Sequence, residues 1–342
     1  MRHHFGPAAR ILALTACVSA ISLPFDAAAQ RPRRGTPARR PQKHAPAVHF
    51  DSGSSALKIP LEIDNNIILM RVGVNDSQPL RFIFDTGASH TVISSRRAAE
   101  LGLKTRGGAR GSGTGGAIET SLIEGVSLSV QGARVSDQLI ASMPFPVIPG
   151  FEFDGTIGYD FINQFVVEID YQNKLMNLYD PRAYAYDGRG EVIRLLLAGR
   201  RTPLVRTQII LEGRAPLEAR LEVDTGADGT FLVNSPFVRK HGLLAAMRET
   251  REGGASGAGG EQRLRVGRVK AVRLGRLVIN NPPLSLSLDA EGAGASVEND
   301  GLVGGEVFRR FKVILDYSRG SMILEPNSDF DDPFEADPGG LD

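Results

Sequence analysis

Two stretches, RFIFDTGASHTVIS at residues 81–94 and RLEVDTGADGTFLV at residues 220–233, decide how this chain folds. Each drives an apolar run straight into Asp-Thr-Gly-Ala. A carboxylate buried without a partner is costly. A single Asp-Thr-Gly after a strand reads as a turn, with Asp capping local amides and Gly supplying a positive φ. Here there are two, and Asp85 and Asp224 are 139 residues apart. A second pair follows at an offset of 146: DGTIGYDFINQFVVEIDY from Asp154 and DGLVGGEVFRRFKVILDY from Asp300 align without a gap. Between these landmarks each half carries a Gly-rich segment, RGSGTGG at 110–116 and GGASGAGG at 253–260. Matching order and spacing identify a duplicated domain.

Each half reads as β. IPLEIDNNIILMRVGV and TPLVRTQIILEG alternate apolar with polar residues, and NDSQP and EGRAP supply hairpin turns. FVVEIDYQNKLMNLY and FKVILDYSRGSMILE each read as strand, tight turn, strand. Helical signal is short, at 95–101, 159–164, 235–242 and 306–310. The pattern predicts an all-β protein of two tandem lobes, residues 52–183 and 190–327.

The flanks read differently. Residues 1–29 carry Arg2 and Arg10, an apolar stretch from Ile11 to Phe25, and Ala27-Ala28-Ala29, the pattern of a secretory signal peptide. Leu14-Thr15-Ala16-Cys17 also resembles a lipobox that would acylate Cys17. Cleavage after Ala29 is the first reading, because apolar residues continue past Cys17. Both place the mature protein outside the cytoplasm, periplasmic or secreted, and neither leaves a transmembrane span. Residues 30–50 are rich in Pro and Arg and read as a disordered linker. They act as a solvated spacer or a contact to anionic lipid or cell wall. Residues 328–342 contain six acids and no base and read as a disordered tail.

Composition excludes several classes. With 40 basic and 39 acidic residues among 342, nothing points to a nucleic-acid partner. A single cysteine rules out a disulfide framework or a thiolate metal cluster. Trp is absent and aromatics are 6%, which argues against a base-stacking platform. No H-E-x-x-H, P-loop or zinc-spaced set occurs, so no metal or cofactor is expected. His90 and His241 read as surface or turn residues.

If the halves pack about a pseudo-twofold axis, Asp85 and Asp224 face each other. Two carboxylates about 3 Å apart share one proton. The ionised one takes a proton from water, while the protonated one bonds the carbonyl under attack. Thr86 and Thr225 bond across the interface, and Gly87 and Gly226 permit close approach. On these residues the sequence resembles the retropepsin branch of the aspartic proteases, two lobes in one chain. The matching motifs are Asp85-Thr86-Gly87-Ala88-Ser89 and Asp224-Thr225-Gly226-Ala227-Asp228. Thr156-Ile157-Gly158 and Leu302-Val303-Gly304 match the family's second motif, two apolar residues and Gly before a short helix. Thr156 departs from it.

The resemblance implies β-barrel lobes with a peptide substrate held between them. It implies flaps at the Gly-rich segments, with Gly113, Gly115, Gly257 and Gly259 offering backbone amides. It also implies substrate contacts at Ala88, Ser89, Ala227 and Asp228. Where pepsin-like enzymes carry Ser or Thr after D-T-G, this chain has Ala88 and Ala227. One donor fewer per aspartate predicts a mildly acidic to near-neutral optimum. A monomer supplies both aspartates. The function expected is aspartic endopeptidase, and the competing reading is a non-catalytic peptide-binding module with the same cleft.

Overall fold

The computed structural model describes residues 19–22 and 46–334, apart from 114–115, 147, 198–200, 248 and 259. The expected cleavage site after Ala29, Cys17, most of the expected linker, and residues 335–342 lie outside the described residues.

The first lobe starts from the hairpin Ile67–Val74 and Leu80–Phe84, in register Leu69↔Ile83. Ser77 closes its turn, with Ser77 Oγ accepting from Val74 N at 3.0 Å. Phe82 and Phe84 enter the lobe core, and Ile83 points to the other face. The chain passes Asp85, forms Val92–Ser94 and enters helix Ser95–Glu100, capped by Ser94 Oγ on Arg97 N. A long hairpin follows, Arg106–Gly113 with Gly116–Val130, then Ala133–Met143. Gly155–Ile157 returns parallel to Leu80–Phe84 and antiparallel to Val92–Ser94. Gly73↔Ser129 joins the far strands and closes the barrel.

The second lobe repeats this plan. Leu204–Ile210 and Leu217–Val223 form the hairpin, and Phe231–Val233 leads to helix Ser235–His241. Arg251–Gly257 and Gly260–Arg268 form the long hairpin. Gly301–Val303 returns parallel to Leu217–Val223. The four helical segments expected from sequence are present. Helix Leu243–Ala246 and a 3-10 turn at Ala293–Ala295 are additional.

Between the lobes lies a six-stranded sheet shared by both halves. Val166–Asp170 pairs antiparallel with Phe311–Asp316, in register Glu168↔Ile314. Leu175–Tyr179 and Ser55–Pro60 extend it on one side, Ser321–Pro326 and Glu191–Arg194 on the other. Equivalent strands of the two repeats thus meet at its centre, along the pseudo-twofold axis.

Three flanking stretches differ from a spacer or a free tail. Ala47–Phe50, the end of the expected linker, pairs with Ala133–Met143, and Phe50 stacks edge-on against Phe165 at 5.7 Å. Within the segment expected to be a leader, Ser19–Ser22 pairs with the first Gly-rich hairpin, Ser22 opposite Arg110. At the other end, residues 328–334 pack on the second lobe. Arg310 is 1% exposed, and its guanidinium donates to the carbonyls of Asp329 (3.0 Å) and Asp332 (2.5 Å). It lies over the Phe334 ring at 3.8 Å and bonds Glu306 at 3.2 Å. A buried cation needs such partners, so the acidic segment is drawn in.

Deleting residues 328–342 strips Arg310 of these carbonyls and its aromatic cover. The expected cost is about 3 kcal/mol of stability, read as a lower denaturation midpoint. An unchanged midpoint would show that the segment contributes nothing.

Candidate active site

The two Asp-Thr-Gly turns meet at the lobe interface. Asp85 and Asp224 are both fully buried. Each follows a strand pinned to its return strand: Asp85 N donates to Ile157 O at 3.1 Å, and Asp224 N to Val303 O at 3.0 Å. The turn beyond is held the same way, through Tyr159 N on Ala88 O (2.9 Å) and Gly305 N on Ala227 O (2.7 Å). Gly158 and Gly304 are required there, since a Cβ would fall 2.4 Å from the His90 carbonyl oxygen and 2.5 Å from that of Gly229.

The threonines lock the turns together. Thr86 Oγ1 donates to Val223 O at 2.5 Å and accepts from Thr225 N at 3.0 Å. Thr225 Oγ1 donates to Phe84 O at 2.8 Å and accepts from Thr86 N at 3.1 Å. Four crossed bonds in a buried site fix the two aspartates relative to each other. The glycines sit under the opposite acids. A Cβ on Gly226 would lie 2.4 Å from Asp85 Cγ, and one on Gly87 would lie 2.8 Å from Asp224 Cγ. Only a residue without a side chain lets the carboxyls approach.

Asp85 Oδ1 accepts from Gly87 N (2.8 Å) and Ala88 N (3.1 Å). Asp224 Oδ1 accepts from Gly226 N at 3.0 Å. Among the described residues no N–H or hydroxyl reaches Asp85 Oδ2, and the charge that bears most on the Asp85 carboxyl is that of Asp224. Two carboxylates can bond only with a proton between them. Burial first, then the facing charge of Asp224, hold Asp85 well above the usual carboxylate range. Ala88 and Ala227 are buried and offer no hydroxyl to lower it.

The other expected residues divide. Asp228 is half-buried, with its Oδ1 enclosed and its carboxyl pushed well up by burial, and Asn66 Nδ2 donates to its carbonyl at 3.0 Å. Its counterpart Ser89 is buried, and Ser89 Oγ lies 3.1 Å from His90 Nδ1. Gly113 and Gly257 end the strands of the long hairpins, paired with Gly116 and Gly260. The hairpin tips touch: a Cβ on Gly113 would strike the Ala258 carbonyl oxygen. Gly115 and Gly259 lie outside the described residues.

Sequence reasoning missed three groups. His90 is buried, not a surface residue. Arg201 from the second half donates to its Nε2 at 2.5 Å, and burial, then Arg201, lower its pKa to about 4. Asp160, which accepts from Thr91 N and Oγ1, is raised by burial to about 6. Glu222 occupies the repeat position of Ile83, accepts from Asn299 Nδ2 at 3.0 Å, and adds to the upward push on Asp85. The signal for Glu222 was in the sequence: an acid between core residues Leu221 and Val223.

Two β lobes that share one buried pair of acids define an aspartic-protease architecture. The chain belongs to the aspartyl protease family, whose model matches residues 70–161 and 207–307. No curated protein matches the chain.

Two outcomes follow from this geometry. Thr86→Val strands Val223 O and Thr225 N in a dry interface and should cost about 2–4 kcal/mol, measured by denaturant titration. A cost near zero would mean the bonds are not formed. Asp85→Asn should raise the melting temperature at neutral pH. The folded chain keeps the Asp85 proton to higher pH than the unfolded chain does, so folding is penalised as pH rises above 3.8. Asn carries no such penalty, and the gain should fade as the pH falls toward that value.

Proposed function

We propose that this protein is an aspartic endopeptidase that hydrolyses peptide bonds with water activated between Asp85 and Asp224. The observation that supports it is a pair of fully buried carboxyls, one from each repeat, each accepting from the amide of its own turn glycine, in turns locked by crossed threonines. One carboxylate removes a proton from the water as it attacks the peptide carbonyl. The other, still protonated, donates to the carbonyl oxygen. A tetrahedral diol forms, and the proton gained passes to the departing amine. The two long hairpins, whose tips touch, carry glycine amides suited to an extended peptide backbone and serve in this reading as flaps.

Both acids come from one chain, so a monomer suffices. The N-terminal pattern of residues 1–29 supports action outside the cytoplasm, on peptide or unfolded segments met there. No described helix is long and apolar enough to cross a membrane.

Purified protein incubated with a mixed peptide library should cleave, and Asp85→Asn and Asp224→Asn should each lower kcat by about 10³-fold or more. Because the pair holds its proton above the ordinary carboxylate range, the singly protonated form persists upward, and kcat/KM should peak at mildly acidic to near-neutral pH. A peak below about pH 3 contradicts the protonation argument. Peptide binding without cleavage at any pH replaces the enzyme with a binding module.

A further inference from the structure

The two lobes build the wall beside the dyad from different chemistry. Ile83 stands two residues before Asp85, on the face of its strand away from the core. Its repeat partner is Glu222, and each stands two residues before its aspartate, on the strand face that leads to it. Over Ile83 lies Phe151, packed with Ile67 and Leu69 and only 4% exposed.

Phe151 belongs to the loop 144–154, which joins Ala133–Met143 to Gly155–Ile157. Phe153 links it to Phe145, with ring centroids 5.7 Å and 4.8 Å apart. Phe145 packs with Val92, Met143 and Ala258, the last from the tip of the opposite hairpin. An aromatic run therefore extends from beside the dyad to beneath the hairpin tips. The corresponding loop of the second lobe, 288–300, contains no aromatic residue.

The aromatic loop is tied down. Gly150, at φ +80°, turns the chain so that Phe151 N meets Ile148 O at 3.1 Å. Arg81 donates to Glu152 O at 2.6 Å and places its guanidinium 5.7 Å from the Phe151 ring centroid. Asp154 accepts from Arg81 N at 3.0 Å and from Arg97 Nε at 2.6 Å. The ring is thus held over Ile83. The loop also borders a surface recess of about 1070 Å³, which Phe151 helps to line.

We propose that Phe151 determines specificity: its ring fills the side-chain subsite over Ile83, so the peptide residue seated on the first-lobe wall beside the scissile bond is small. The residue on the second-lobe wall meets no such ring. This rests on the peptidase reading of the dyad. Removing the ring opens the subsite toward the recess.

The test profiles cleavage by the full chain on peptides varied at both positions flanking the scissile bond. Wild type should accept Gly, Ala or Ser at one of them and reject Leu, Phe and Tyr there by about 10-fold or more in kcat/KM. Phe151→Ala should lift that rejection by about 10-fold at that position and leave the other unchanged. Phe151→Leu, which keeps most of the packing, should give an intermediate profile, and thermal melts establish that each variant is folded. Equal acceptance of bulky residues on both sides by wild type overturns the inference. So does an unaltered profile in the folded variants, and either result leaves the peptidase reading standing. Absence of wild-type cleavage, or cleavage that persists in Asp85→Asn, removes that reading and this inference with it.

Discussion

Everything in this molecule is arranged around two acids held in contact where water is scarce. Left alone, a buried carboxylate is driven to neutralise. Paired with a second one it can share a proton, but only if the approach is enforced. Enforcement comes from Thr86 and Thr225, which cross the interface to the carbonyls of Val223 and Phe84, and from glycines that leave the space under each carboxyl empty. The barrels, the shared sheet and the short helices serve to hold those turns in place.

The duplicated frame is symmetric in backbone and asymmetric in chemistry. Ser89 stands at the repeat position of Asp228, Ile83 at that of Glu222, and Thr156 at that of Leu302. Thr156 is fully buried and its hydroxyl has no hydrogen-bond partner among the described residues, so it fills a mostly apolar position. Charge also collects unevenly. His90 and Arg201 lie beside the first turn, and Glu222 bears on the dyad from the second strand. One chain that encodes both halves can vary each wall separately, which identical paired subunits cannot do.

The frame also depends on contacts that cross between repeats. The Val166–Asp170 and Phe311–Asp316 strands join the halves by backbone bonds. Arg310 follows the helix Gly305–Phe308, whose first residue holds Ala227 of the second turn, and it is caged by residues 329–334. A chain segment distant from the dyad is therefore linked to it through one buried cation.

The sequence by itself determined the repeat, the β class, the four short helices and the two acids, because these are carried by local alternation and by spacing that survives duplication. It also pointed to the crossed threonines, since a hydroxyl beside each acid can bond the opposite turn where the two halves meet. Only the tertiary structure decided that the strands Val166–Asp170 and Phe311–Asp316 pair with each other, that His90 is buried under Arg201, and that residues 328–334 cover Arg310. The same holds for Phe151 on Ile83. These are contacts between residues far apart in the chain, and nothing in local periodicity records which distant side chain supplies a partner. The acidic end looked like a free tail because composition registers its charge and not the single buried guanidinium waiting for its carbonyls.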